Sequence, residues 1–158
     1  MKGSLQTGVH FGVTSGIITT LGLMVGLHSG THSLRAVVGG VLTIAIADAF
    51  SDALGIHIAE EAENVHTTTE VWVATGATFL TKLLMALTFL VPVLLFSLPT
   101  AIRVAVAWGL SVLAVLSYQL ARAQRTRPWK VIREHLVIAI VVITLTHWLG
   151  DWVASSFK

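Results

Sequence analysis

Leu34–Ile58 reads LRAVVGGVLTIAIADAFSDALGIHI, and this stretch decides the fold. A helix needs about 20 mostly apolar residues, at 1.5 Å each, to cross a bilayer, and this one has the length. Inside it sit two acids, Asp48 and Asp52. A spacing of four residues puts them on one helical face, about 40° apart. One aspartate at mid-bilayer costs about 2.5–3.5 kcal/mol on insertion scales. Two on one face cost more, because like charges repel unless a cation or proton lies between them. The pair therefore asks for a partner. One reading is a cation or proton site on a transport path. The other is a structural ion pair with Lys82, which lies about as deep in the next apolar segment as Asp48 does in this one.

The rest of the chain has the same character. Of its 158 residues, 54% are hydrophobic and 11% charged, against about 25% charged in an ordinary soluble domain. A soluble chain of this length has too much surface for so few charges. Five segments read as spans: Val9–Leu27, Leu34–Ile58, Val71–Leu98, Thr100–Ala121 and Val131–Ser155. Ser97-Leu98-Pro99-Thr100 reads as the turn between the third and fourth, and Pro92 is expected to kink the third, which membrane helices tolerate. The connectors are short. The expectation is an all-α integral membrane protein, residues 1–158 forming a single five-helix transmembrane domain. Its first span is read as retained rather than as a cleaved signal peptide.

Several function classes fall away. Cysteine is absent, which excludes disulfides, thiolate metal sites and a cysteine nucleophile. No nucleophile–base pattern, P-loop or dinucleotide fingerprint occurs. Intramembrane aspartic proteolysis places its two aspartates on different helices, whereas here both lie on one. The chain is therefore not read as an enzyme, and no permanently bound cofactor is expected. The formal charge of +2 is small, and the basic residues lie between the spans, so topology explains them better than nucleic acid does. Lys2, Arg122, Arg125, Arg127, Lys130 and Arg133 fall on one side, and Arg35, Arg103 and Lys158 on the other. By the positive-inside rule the N-terminus is cytoplasmic and the C-terminus outside. Trp72, Trp129, Trp148 and Trp152, near helix ends, read as interfacial belt residues.

A second polar group follows the aspartates. His57, Glu60, Glu61 and Glu63 crowd the inner end of the same helix, with His66 and Glu70 just beyond. His57 stands three and four residues before Glu60 and Glu61, a spacing at which side chains share one helix face. Carboxylate and imidazole together suit Fe²⁺, Mn²⁺ or Zn²⁺ better than Ca²⁺ or Cu⁺. Glu63 lies within about 60° of Asp48 and 20° of Asp52 around the helix. One stripe would thus lead from the mouth to the buried pair. The bland alternative is a solvated acidic helix end. The first segment carries Gly12-Val-Thr-Ser-Gly16 and Gly22-Leu-Met-Val-Gly26. These are two GxxxG patterns, explained either by tight packing within the protomer or by a dimer seam. His147 and Asp151, four apart near the outer end of the last segment, form either an exit site or a hydrogen-bonded interfacial pair. His28 and His32 read as interfacial.

The order of these features resembles the vacuolar iron transporter family. The first-helix segment Phe11-Gly-Val-Thr-Ser-Gly-Ile-Ile-Thr-Thr-Leu-Gly-Leu-Met-Val-Gly-Leu27 is similar to that family's small-residue, Asp-Gly, hydroxyl-rich first helix. Gly39-Gly-Val-Leu-Thr-Ile-Ala-Ile-Ala-Asp-Ala-Phe-Ser-Asp-Ala-Leu-Gly55 is similar to its second. The resemblance implies five spans and a homodimer with helices one and two around a central path. It also implies export of Fe²⁺, often Mn²⁺, from the cytosol in exchange for protons. Three departures stand out. The family's helix-one aspartate aligns with Ser15, its helix-two methionine aligns with Asp52, and its cytoplasmic metal-binding helices between helices two and three are missing. A carboxylate is kept on the path but moved to helix two, and the soft thioether is lost.

These readings together give a dimeric, proton-coupled divalent-metal transporter. Glu60, Glu61, Glu63 and His57 collect metal at the mouth, and Asp48 and Asp52 bind it mid-membrane. Ser15 and Lys82 line the path, and Lys82 neutralises an aspartate when metal is absent. The rivals are a transporter or channel for H⁺ or Na⁺, and a non-transporting assembly protein whose Asp–Lys pair is structural.

Overall fold

The computed structural model describes residues 1–157. Lys158, which enters the charge asymmetry above, lies outside the described residues. Among these, all regular structure is helical: α1 (Lys2–Thr31), α2 (Leu34–Ala62), α3 (Thr68–Thr88), α4 (Leu90–Leu95), α5 (Leu98–Ala123) and α6 (Pro128–Ser156). With α3 and α4 taken together as Thr68–Leu95, five helices are long and apolar enough to cross a membrane. Five helices stand where five spans are expected, but the third stops at Leu95 rather than Leu98, and the break falls at Phe96 and Ser97, with Leu98, Pro99 and Thr100 already in α5. Most run beyond the apolar segments, since α1 begins at Lys2 rather than Val9 and α2 continues past Ile58 to Ala62.

Local signals set the ends. Ser33 caps α2, its side chain accepting from the Ala36 N–H. Thr67 and Glu70 form a capping box at the start of α3, satisfying amide groups that the first helical turn leaves free. Pro99 and Pro128 sit in the first turns of α5 and α6, where a missing N–H does no harm. His32, Asn64 and Arg125 take left-handed backbone angles in the short connectors. Pro92 acts upstream of itself. Its ring presses on the carbonyl four residues back, at Thr88, and there α3 ends. Phe89 N–H turns instead to Ala86 O at 3.2 Å, and its fully buried ring fills the bend.

Helix α1 is the centre of the bundle, packed against α2, α3, α5 and α6. Its glycines make this possible. Gly8, Gly12 and Gly16 face α3. A Cβ on Gly8 would come within 2.8 Å of Ala77 Cβ, and one on Gly12 within 2.6 Å of Thr78 O. Gly22, Gly26 and Gly30 face α6 near Val142, Thr146 and Gly150. Packing within the protomer therefore accounts for both GxxxG patterns. Where lipid tails are as apolar as leucine, such backbone-to-backbone fit holds helices together in place of a hydrophobic driving force. Beyond the glycines, Ile17, Leu21, Met24, Val37, Val41, Phe89 and Leu113 form an apolar core.

Candidate functional site

Three helices bring one polar group into this apolar interior. α1 contributes Ser15, α2 contributes Asp48 and Asp52, and α3 contributes Lys82. On α2 the buried positions Val37, Val41, Ala45, Ala49 and Ala53 recur every four residues, and both aspartates flank that row. Lys82 is 1% exposed, while the Asp48 and Asp52 side chains are 25% and 19% exposed. Lys82 Nζ donates to Ser15 Oγ at 2.9 Å and to Asp52 Oδ2. The same nitrogen lies 2.6 Å from Asp48 Oδ2, in a geometry that makes no hydrogen bond and leaves that buried oxygen held by charge alone. An ammonium has three protons to give, and three oxygens surround it. Counted formally, two carboxylates and one ammonium leave one negative charge.

The sequence places Lys82 beside an aspartate; the structure puts it between both. The Lys82 backbone is pinned against α1, where a Cβ on Gly16 would lie 3.2 Å from Lys82 O. Asp48 also borders an open groove of about 610 Å³ between α1 and α2, lined by Leu23, Leu27, Gly40, Thr43 and Ala47. Asp48 thus has an approach from outside the bundle, whereas the lysine does not.

The mouth residues assemble differently from the expectation. His57 turns away from the glutamates: its Nδ1 lies 3.0 Å from Thr75 Oγ1 and its ring packs edge-on against Trp72. Glu60 is buried, and its Oε2 lies 3.3 Å from His66 Nε2. Glu63 Oε2 lies 3.5 Å from the same nitrogen, and Glu61 is exposed. The structure therefore joins Glu60 and Glu63 through His66, and leaves His57 and Glu61 apart. Among the described residues, no three His, Cys, Asp or Glu side chains converge to hold a metal ion. At the other end of the bundle His147 Nε2 and Asp151 Oδ2 are 3.6 Å apart.

Two polar contacts have no counterpart in the sequence pattern. Buried Ser29 hydrogen-bonds His147 Nδ1, and buried Ser117 lies 2.7 Å from His135 Nδ1. Gly8 extends the Gly12–Gly16 spacing by one more step of four, a signal available in the sequence. Ser29 carries no such signal, because its partner lies on the last helix.

The fold and site define a class: an all-α chain with five helices of membrane-crossing length and a buried lysine held between two half-buried aspartates. Compared with protein-family models, curated proteins and solved structures, the chain matches none.

Proposed function

We propose that this chain is a multi-pass membrane transporter for a divalent transition metal, Fe²⁺ or Mn²⁺, moved out of the cytosol in exchange for protons. The observation that carries the proposal is the pair of carboxylates that share a single ammonium, one of which, Asp48, borders an open groove. A divalent ion taking the place of the ammonium matches the two negative charges, and oxygen ligands suit Mn²⁺ and Fe²⁺. Lys82 and the metal then compete for the same oxygens, so an empty site keeps a positive charge in place. Buried ionisable groups at mid-membrane depth are expensive and mark ion pathways. Glu60 and Glu63, joined by His66, would meet the ion at the cytoplasmic mouth. The N-terminus would then be cytoplasmic and the C-terminus outside. The glycines of α1 are used within the protomer, so a homodimer about α1 and α2 would meet through the small outer face of α2, at Thr43, Ala47 and Ser51. It would double the carboxylates along a two-fold axis.

The test is flux in proteoliposomes. Asp52→Ala is expected to abolish Fe²⁺ and Mn²⁺ transport; unchanged flux in that variant ends the assignment. One observation favours a second reading, in which the triad is a structural ion pair: Ser15, Asp48 and Asp52 already surround the ammonium. That reading predicts no shift in thermal stability with Fe²⁺ or Mn²⁺ that depends on Asp48 and Asp52.

A further inference from the structure

The outer ends of α1 and α6 hold a second cluster that the transport reading does not use as a unit. Two pairs lie together there: His28 of α1 with His32, which caps that helix in a left-handed conformation, and His147 with Asp151, four residues apart on α6. The helices are pressed together at this level, since a Cβ on Gly150 would lie 2.8 Å from Ser29 Cβ and 2.9 Å from Gly30 N. That approach lets Ser29 reach His147. We infer that His147 and Asp151, with an imidazole of His28 or His32, form a binding site for an imidazole-preferring divalent metal such as Zn²⁺, oriented by Ser29.

Three observations carry it. First, the Nε2–Oδ2 separation of 3.6 Å between His147 and Asp151 is too long for a hydrogen bond. It is close to the edge of a tetrahedron of ligands at Zn–N and Zn–O distances, about 3.4 Å. Second, the other ring nitrogen of His147 is engaged by Ser29 Oγ. A histidine that ligates a metal commonly donates its second N–H in this way, which fixes the tautomer and leaves the lone pair on the ligating nitrogen. Third, His28 Nδ1 is buried without a hydrogen-bond partner, and His28 lies within electrostatic range of His32 and His147. The His28 and His32 ring centroids are 5.4 Å apart, so either ring is at hand on the α1 side. Two donors are in place, and among the described residues no third converges on them; a side-chain rotation of His28 or His32 supplies it. His147 and Asp151 are 60% and 57% exposed, so an ion reaches them without crossing the bundle.

The site stands whether or not the chain transports metal. Zn²⁺ alone is titrated into the purified full chain carrying Asp48→Asn and Asp52→Asn, which removes the intramembrane carboxylates. One Zn²⁺ per chain is expected to bind. His147→Ala and Asp151→Asn are each expected to weaken binding at least about tenfold, and Ser29→Ala by about 10–100-fold as an orienting contact. Binding unchanged by His147→Ala and Asp151→Asn overturns the inference. Independently of any variant's folding, Co²⁺ added to the unmodified chain is expected to give the visible absorption of a nitrogen- and oxygen-ligated tetrahedral ion, and a chain giving no such band refutes the site. Loss of Fe²⁺ and Mn²⁺ flux in Asp52→Ala leaves these outcomes untouched, so the two readings fail separately.

Discussion

Replacing Lys82 with methionine keeps the length of the side chain and removes its charge. The surroundings of that charge set the cost. Lys82 is 1% exposed and lies between two carboxylates, 2.6 Å from one of them. At that distance, attraction in a medium of effective dielectric 20 is about 6 kcal/mol for one pair before desolvation is subtracted. Breaking a buried ion pair by removing one partner costs about 3–5 kcal/mol net. Here the aspartates retain 25% and 19% exposure, so water reaches the orphaned charges and the lower end applies, about 3 kcal/mol. At about 2–4 °C per kcal/mol for a chain of this size, the melting temperature falls on the order of 10 °C. Thermal unfolding in detergent, without divalent metal, measures it. The triple variant Lys82→Met, Asp48→Asn, Asp52→Asn removes the whole ionic group, and replacing a complete buried set is close to neutral. It is expected to recover most of the loss. A single variant that melts with the wild type, or a triple variant as unstable as the single, refutes the argument that charge holds these helices at this point.

The two aspartates are predicted to be unequal. Asp52→Asn weakens a hydrogen bond to a charged group and costs about 1.5–3 kcal/mol, whereas Asp48→Asn costs under about 1 kcal/mol because it leaves a neutral Lys82–Asp52 pair; the reverse order of melting temperatures contradicts the geometry. Gly12→Ala drives a Cβ to 2.6 Å from the Thr78 carbonyl and is expected to destabilise by about 1–3 kcal/mol. Gly76→Ala meets nothing within 4 Å and should stabilise α3 by about 0.5–1 kcal/mol. Thr67→Ala removes the cap of α3 and should lower stability by about 0.5–2 kcal/mol, read by the same unfolding assay.

The helices were legible in the sequence because long apolar runs, prolines and capping residues act locally. The shared face of Asp48 and Asp52 follows from helical period, and the depth of Lys82 from counting residues. What the period cannot give is the direction a helix faces when nearly all its residues are apolar. The service of Lys82 to both acids, the turn of His57 toward Thr75 and the meeting of Ser29 with His147 all depend on which helices become neighbours. The break at Phe89 was half visible: Pro92 announced a kink, but its effect falls on the carbonyl four residues back. The glycines announced close contact without naming the partner, and α3 and α6 take the two sides of α1.

The contact of α1 with α3 also has a mechanical meaning. Gly12 and Gly16 rest against the backbone of Lys82 itself, so these two helices are already at their distance of closest approach and behave as a fixed frame. The ammonium rides on that frame with only its four-carbon stem free to swing. The acids lie outside that frame, on α2, where Asp48 flanks the groove. The position of the one buried positive charge is thus set by two residues that bear no charge and no side chain.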